Sequence, residues 1–286
     1  SIIGPIEKDE GYDPNFSAAA NIATAPTGLL IPPSNVMITF SLVSGGTSVA
    51  ALFMAGYIPG ALWALACMLV VYIYAKKAGY RSQTKLTGKE KFNAFIQALP
   101  CLLLIIIVIG GIIAGVFTAT EGSVVAVVYS LLLSIYGYKS MKWKDLPEIF
   151  RASAEMTGII IFLIGVSSIM SWVMAFTNIP TMVSNGLLSI SSNKYVILLM
   201  INIILLVVGT FMDMTPATLI FTPIFLPVCT ALGMNTIHFG IMLIFNLCIG
   251  TITPPVGTTL FVGVKVGKVQ IETVFRQLLV YFAAIF

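Results

Sequence analysis

Two stretches of this chain, residues 14–75 and 214–264, contain no Asp, Glu, Lys or Arg. Nothing else in the sequence constrains the fold as strongly. A water-soluble domain carries roughly a quarter charged residues, whereas this chain carries 9% and is 58% hydrophobic. Residues 156–193 are equally free of charge, and 92–138 hold Glu121 alone. A helix that crosses a bilayer needs about 20 apolar residues, so each stretch holds one or two spans. The chain therefore reads as an all-α, polytopic membrane protein in contact with the lipid bilayer.

The same composition excludes several functions. The net charge of +4 comes from basic residues in short loops between apolar runs, so it is no sign of nucleic acid. Cys67, Cys101, Cys229 and Cys248 lie inside apolar runs without metal-ligand spacing and read as small buried hydrophobes. His238 is the only histidine, which argues against a His-based metal site or triad and makes it a polar residue near a helix start rather than a proton relay. The nearest fragment to a phosphate-binding loop, Thr87-Gly88-Lys89, lacks the first glycine and the following Ser/Thr. No cofactor and no catalytic residues are expected.

Along the chain, residues 16–40 form an apolar helix broken at Gly28 and Pro32-Pro33, and 49–75 form one span. Segment 76–93 is basic (Lys76, Lys77, Arg81, Lys85, Lys89, Lys91) and is placed on the cytoplasmic side. Spans follow over 94–117 and 122–138, with Thr118-Ala-Thr-Glu121 as a capping box between them. Asp145-Leu-Pro-Glu148 reads as a second capping box, opening an interfacial helix over 145–155. A span over 156–176 leads to 178–193, rich in Ser, Asn and Pro and expected near the outer surface. Residues 195–229 suggest a re-entrant hairpin with its tip near 212–216 and a short second limb, 217–229, capped by Thr215-Pro216. A second broken helix covers 237–262, interrupted from Gly250 to Pro255, and a last, truncated span begins at 272.

The two broken helices resemble each other. A shift of 222 residues aligns 11–53 with 233–275 without a gap, pairing Gly11 with Gly233, Ile22 with Ile244 and Gly28 with Gly250. Pro32-Pro33 meets Pro254-Pro255, Gly45 meets Gly267 and Phe53 meets Phe275. Most of the shared residues are helix breakers. Counting crossings from the basic loop makes the two units run in opposite directions, the inverted-topology repeat of many secondary transporters. Residues 1–75 are then the C-terminal part of the first repeat and 94–286 the second. The first repeat's hairpin tip would precede Ser1.

A broken membrane helix leaves backbone groups unpaired at a cost of several kcal/mol, so a break persists where it lines a cavity or binds something. A lone proline would read as a resealed kink; two matched G-x-x-x-P-P breaks read as sites. Gly28, Pro32, Pro33, Ser34 and Asn35 in one, and Gly250, Thr251, Thr253, Pro254 and Pro255 in the other, offer carbonyls freed by proline and hydroxyl oxygens suited to Na⁺. Thr24 adds another hydroxyl. Asp213, with Met214 and Thr215 beside it, is the only acid between Met156 and Ile271. A carboxylate inside a membrane is a functional candidate; its alternative is to cap the helix that follows.

These residues carry a resemblance. Gly11-Tyr-Asp13, Ile31-Pro-Pro-Ser34, Phe53-Met-Ala-Gly-Tyr-Ile-Pro-Gly60 and Gly111-Ile-Ile-Ala-Gly-Val-Phe-Thr-Ala-Thr-Glu121 resemble the large membrane (M) subunit of tripartite ATP-independent periplasmic (TRAP) transporters. So do Gly209-Thr-Phe-Met-Asp213, His238-Phe-Gly240 and Asn246-Leu-Cys-Ile-Gly-Thr-Ile-Thr-Pro-Pro-Val-Gly257. The resemblance implies an elevator-type fold of the ion-transporter superfamily in the bacterial inner membrane. It implies Na⁺-driven uptake of an acidic solute, sialic acid or a C4-dicarboxylate, delivered by a periplasmic substrate-binding protein, with a small membrane (Q) subunit as partner. It places Na⁺ and solute near Asp213–Thr215, Gly28–Ser34 and Gly250–Pro255. A single-component Na⁺/carboxylate symporter is the nearest alternative. An intramembrane enzyme would need an acid–base or nucleophile set that these apolar stretches lack, and a purely structural scaffold would not need two matched helix breaks.

Overall fold

The computed structural model describes residues 3–80, 87–190 and 193–286, and every regular element among them is helical. Arg81, Ser82 and Lys85 of the basic segment, and Ser191 and Ser192 of the polar stretch, lie outside the described residues. Among the described residues six helices are long and apolar enough to cross a membrane, or seven if the bent pair Pro14–Leu30 and Asn35–Val43 is counted as one span.

The chain groups into two compact units, Ser1–Gln83 with Ser167–Phe286, and Thr84–Val166. The first therefore gathers both broken helices and the hairpin, and does not follow the boundary between the repeats. It begins with α1 (Ile3–Asp9) and α2 (Pro14–Thr24). The first break then contains a single turn, α3 (Thr27–Leu30), before α4 (Asn35–Val43) resumes at an angle of 45°. The long α5 (Val49–Ala78) ends on Gly79 in the left-handed region, a usual way to stop a helix.

The second unit contains α6 (Gly88–Ile113) and α7 (Ala119–Leu132), the latter continuing as a wider π turn over Leu133–Gly137. The Thr118–Glu121 capping box is present: the Glu121 carboxylate accepts the Thr118 N–H at 2.8 Å, and the Thr118 hydroxyl accepts the Glu121 N–H at 3.3 Å. Pro100 interrupts the donors of α6, and tyrosine hydroxyls brace the helix there. Tyr129 donates to the Pro100 carbonyl at 2.9 Å and Tyr138 to that of Gln97 at 2.5 Å.

One expectation fails next. The interfacial helix over 145–155 and the span over 156–176 are one helix, α8 (Leu146–Phe176), entered through a 3-10 turn at Trp143–Asp145. No Gly or Pro lies between Arg151 and Thr157 to break it. Asp145 does not open a box with Glu148; its carboxylate turns back to the Lys142 N–H at 2.9 Å. The stretch expected near the outer surface forms α9 (Ile179–Ile190).

The hairpin consists of α10 (Lys194–Phe211) and α11 (Met214–Ala231), joined by Met212 and Asp213. Its second limb is thus 18 residues rather than 13 and starts before Thr215-Pro216. Proline in the first turn removes an N–H that has no helical partner anyway, so Pro216 does not delay the helix. The second broken helix is α12 (Thr236–Thr251) and α13 (Thr258–Gly267), and α14 (Ile271–Ile285) follows.

The repeat extends beyond identical residues. The starts of α2 and α12, Pro14 and Thr236, are 222 positions apart, as are those of α5 and α14, Val49 and Ile271. Their caps match too: Asp13 accepts the Asn15 N–H at 3.2 Å, and Asn235 accepts the Ile237 N–H at 2.8 Å. Gly11 and Gly233 share positive φ, +83° and +78°, as do Gly46 and Lys268. Packing is reciprocal, since α2 lies against α14 while α12 lies against α5. Leu30, Met37, Phe40, Leu52, Phe53 and Trp63 from one repeat are fully enclosed, like Phe239, Leu243, Ile244 and Leu247 from the other.

Candidate functional site

Each break starts where proline withdraws a donor. In an unbroken helix the carbonyls of Leu29 and Thr251 would accept from residues 33 and 255, but both are proline and have no N–H. The two Pro-Pro peptide bonds are cis.

At the first break the orphan carbonyl is sealed locally. The Ser34 hydroxyl donates to Leu29 O at 2.6 Å and accepts the Met37 N–H at 3.4 Å as the cap of α4. Ser34 and Pro32 are buried, whereas Gly28, Pro33 and Asn35 are exposed. Thr27 donates to Thr24 O at 2.6 Å, and Thr24 in turn donates to Ala20 O at 2.8 Å. Gly56 and Gly60 of α5 press against this break; a Cβ on Gly56 would lie 2.5 Å from Leu30 O, and one on Gly60 2.5 Å from the Ile31 side chain.

At the second break the position of Ser34 is taken by Val256, which has no hydroxyl to donate. The chain turns on Gly257, at φ +47°, where a Cβ would sit 2.8 Å from Thr253 O and 3.0 Å from Thr251 O. The two carbonyls thus converge on a space that only glycine leaves free. The Gly257 N–H does not close back on Thr253; it donates to Thr210 O in the last turn of α10, at 3.0 Å. The hydroxyls of Thr251 and Thr253 donate to Cys248 O and Ile249 O, at 2.8 and 2.7 Å, and so leave their lone pairs available. Pro254 is half-buried and Pro255 exposed.

The hairpin tip joins this break. Gly250 packs so closely on Gly209 that an added Cβ would lie 2.5 Å from the Gly209 Cα. Asp213 occupies the N-cap position of α11, yet its carboxylate makes no cap bond; the Thr258 hydroxyl donates to it at 3.3 Å. Met214 is buried and Thr215 half-buried, with Asp213 exposed at the tip. The ends of α10 and α12 both present carbonyls and partial negative charge here, next to a carboxylate. The two convergent backbone oxygens, the threonine hydroxyls and, beside Thr258, one carboxylate are hard-oxygen donors, the type of group a monovalent cation takes. Among the described residues no group of three His, Cys, Asp or Glu could hold a metal, so transition-metal chemistry has no ligand set here. The facing starts of α11 and α13 carry partial positive charge and suit a carboxylate.

The structure therefore brings Asp213, Gly250, Thr251, Thr253 and Pro254 into one neighbourhood. The first break adjoins α12 through α3, and α11 packs against α4 and α12 alike, but no hydrogen bond links Asp213 to residues 28–35. Sequence reasoning did not single out Gly209, Thr210, Gly257 and Thr258. Gly209, Thr210 and Gly257 stood only within the quoted family fragments, and Gly257, two residues past a proline pair, also carried a local signal.

The family model described as Tripartite ATP-independent periplasmic transporter, DctM component, matches residues 1–286. The chain is 52% identical over 285 residues to an uncharacterized protein, YgiK, of Salmonella typhimurium, covering 100% of this chain and 65% of that protein. It is 36% identical over 272 residues to the sialic acid TRAP transporter large permease protein SiaM of Vibrio cholerae, covering 95% of this chain and 64% of SiaM. It is 33% identical over 284 residues to the C4-dicarboxylate TRAP transporter large permease protein DctM of Rhodobacter capsulatus, covering 95% and 64%. The chain spans just under two thirds of the length of these three curated relatives.

Proposed function

Because the chain belongs to the DctM-component family of tripartite ATP-independent periplasmic transporters, we propose that it couples Na⁺ movement to the uptake of a small acidic solute. It is a multi-pass inner-membrane protein of a transport system. In this reading a periplasmic binding protein hands over the solute, a small membrane (Q) subunit is the constant partner, and the unit holding both breaks carries ion and solute across as an elevator. Thr251 O and Thr253 O converging beside Gly257, with Asp213 and two helix C-termini close by, are the observation that carries the proposal.

The solute in this reading is a small organic acid of the sialic acid or C4-dicarboxylate class. Relatives named for sialic acid and for C4-dicarboxylates are 36% and 33% identical, too similar a distance to choose between them. Sialic acid is the first to test, by thermal shift of the cognate binding protein against a panel of acidic metabolites.

The cation reading is tested with Gly257→Ala in the full-length transporter, reconstituted with its small subunit and binding protein. The methyl group would enter the space between the two carbonyls and strain a left-handed backbone. Half-saturating Na⁺ for uptake should rise about 10-fold or more, the loss of one charge-assisted contact. An unchanged Na⁺ response would remove Thr251 and Thr253 from ion binding. Uptake without any binding protein would favour the single-component symporter.

A further inference from the structure

The seam between α10 and α12 contains a pair of amides that neither a span nor an ion site requires. Asn202, half-buried, lies at the middle of α10 and Asn246, buried, in α12, where their sequence neighbours Ile201, Leu205, Leu243 and Leu247 have no exposed surface. The Asn246 amide donates to Asn202 Oδ1 and to Met242 O, the latter at 2.9 Å. The Asn202 amide donates to Leu198 O at 2.7 Å and meets the Met242 sulfur at 3.4 Å. Burying an amide without partners costs a few kcal/mol, so each asparagine ties itself to its own helix and to the other.

Leucines could fill this seam without any such cost. What a single polar pair in a packed seam adds is register, as asparagines do in coiled coils. Here register has a consequence. Two helical turns beyond Asn202, and one beyond Asn246, Gly209 meets Gly250, and the Gly257 N–H then reaches Thr210 O. A slip of one residue along a helix is about 1.5 Å and 100° of rotation. It would part both contacts and move Asp213 away from Thr258.

We infer that Asn202 and Asn246 are positioning residues that pin α10 to α12 in the one register at which the hairpin tip completes the cation-binding break. The inference rests on the proposed Na⁺ site but acts through helix register, which can be read separately.

The test uses the full-length transporter with its small subunit, carrying Asn246→Gln, Asn202→Leu, or Asn202→Leu with Asn246→Leu. Asn246→Gln keeps an amide but moves it by one methylene, and should raise half-saturating Na⁺ about 10-fold while changing the melting temperature little. The double leucine variant should recover the melting temperature lost in Asn202→Leu yet keep the raised Na⁺ requirement. Recovery of Na⁺ affinity together with thermal stability would overturn the inference, because the pair would then be packing alone. Spin labels at Tyr195→Cys and His238→Cys, near the parallel starts of α10 and α12, report register without reference to Na⁺. A shifted or broadened distance distribution in Asn246→Gln is expected, and an unchanged one would overturn the pin. If the wild type itself ignores Na⁺ while the distances shift, the ion site is wrong and the pin stands.

Discussion

The two helix breaks occupy equivalent positions 222 residues apart, and they are finished differently. At the first, Ser34 plugs the carbonyl that Pro33 orphans, and Gly56 and Gly60 let α5 close directly over the break. At the second, Val256 replaces the serine, and the positions equivalent to Gly56 and Gly60 hold Leu278 and Phe282. Beside Thr253 and Pro254 there remains an apolar cavity of about 590 Å³, lined also by Phe275, Phe282 and Phe286. The repeated prolines create the same deficit of donors twice. How that deficit is met depends on residues outside the repeated pattern: a serine hydroxyl fills it at the first break, and the equivalent position at the second carries none.

The sharpest way to break this comparison is to place the same methyl group in both. Gly250→Ala would drive a Cβ into the backbone of Gly209, whereas an added Cβ at Gly28 meets nothing within 4 Å. Close-packed helices cannot absorb that displacement without parting, and misplacement of a binding group by about 1 Å can cost 100-fold. Gly250→Ala should therefore lose Na⁺-driven uptake by about 100-fold and melt at a lower temperature. Gly28→Ala should stay within about twofold of the wild type, on the same principle. Equal effects on uptake would mean that the two breaks are functionally equivalent despite their different surroundings.

A smaller effect is expected at the tip, where Asp213 accepts the Thr258 hydroxyl just past the second break. Asp213→Asn keeps the shape and an oxygen for the Thr258 hydroxyl, removing charge alone. Uptake should fall about 10- to 100-fold, as when one charge-assisted interaction is lost. Asn is as good a helix cap as Asp, so a capping role predicts a nearly silent Asp213→Asn and a less stable Asp213→Ala. Uptake and melting temperature of both variants distinguish the two, and near-normal uptake by Asp213→Asn would end the functional assignment.

Much of this architecture was legible in the chain. Charge-free runs marked the membrane helices, and the spacing of Gly28 and Pro32-Pro33 against Gly250 and Pro254-Pro255 exposed the repeat before any helix was placed. Local chemistry was readable where both partners are near in sequence, as in the Thr118–Glu121 cap. It misled where two caps compete: Asp145 satisfies Lys142 instead of opening a box, and Asp213 holds the N-cap position that Thr215 was expected to take. The joining of tip and break was not legible. The Thr258–Asp213 bond spans 45 residues and the Gly257–Thr210 bond 47, and both depend on how α10 packs on α12.

The smallest and most discriminating effect comes from exchanging the seal. Ser34→Ala strips the half-buried Leu29 carbonyl of its donor, which should destabilise the protein by about 1 kcal/mol and lower the melting temperature. If the first break is only structural, half-saturating Na⁺ should not change. Val256→Ser is the reciprocal move, placing at the second break the hydroxyl that seals the first. Where that hydroxyl reaches Thr251 O it competes with the ion for the same lone pair. Half-saturating Na⁺ should rise about 3- to 10-fold, corresponding to one neutral hydrogen bond, with the melting temperature unchanged or raised. The opposite pattern, a Na⁺ defect in Ser34→Ala and none in Val256→Ser, would place the ion at the first break and make the open carbonyls at Gly257 irrelevant to coupling.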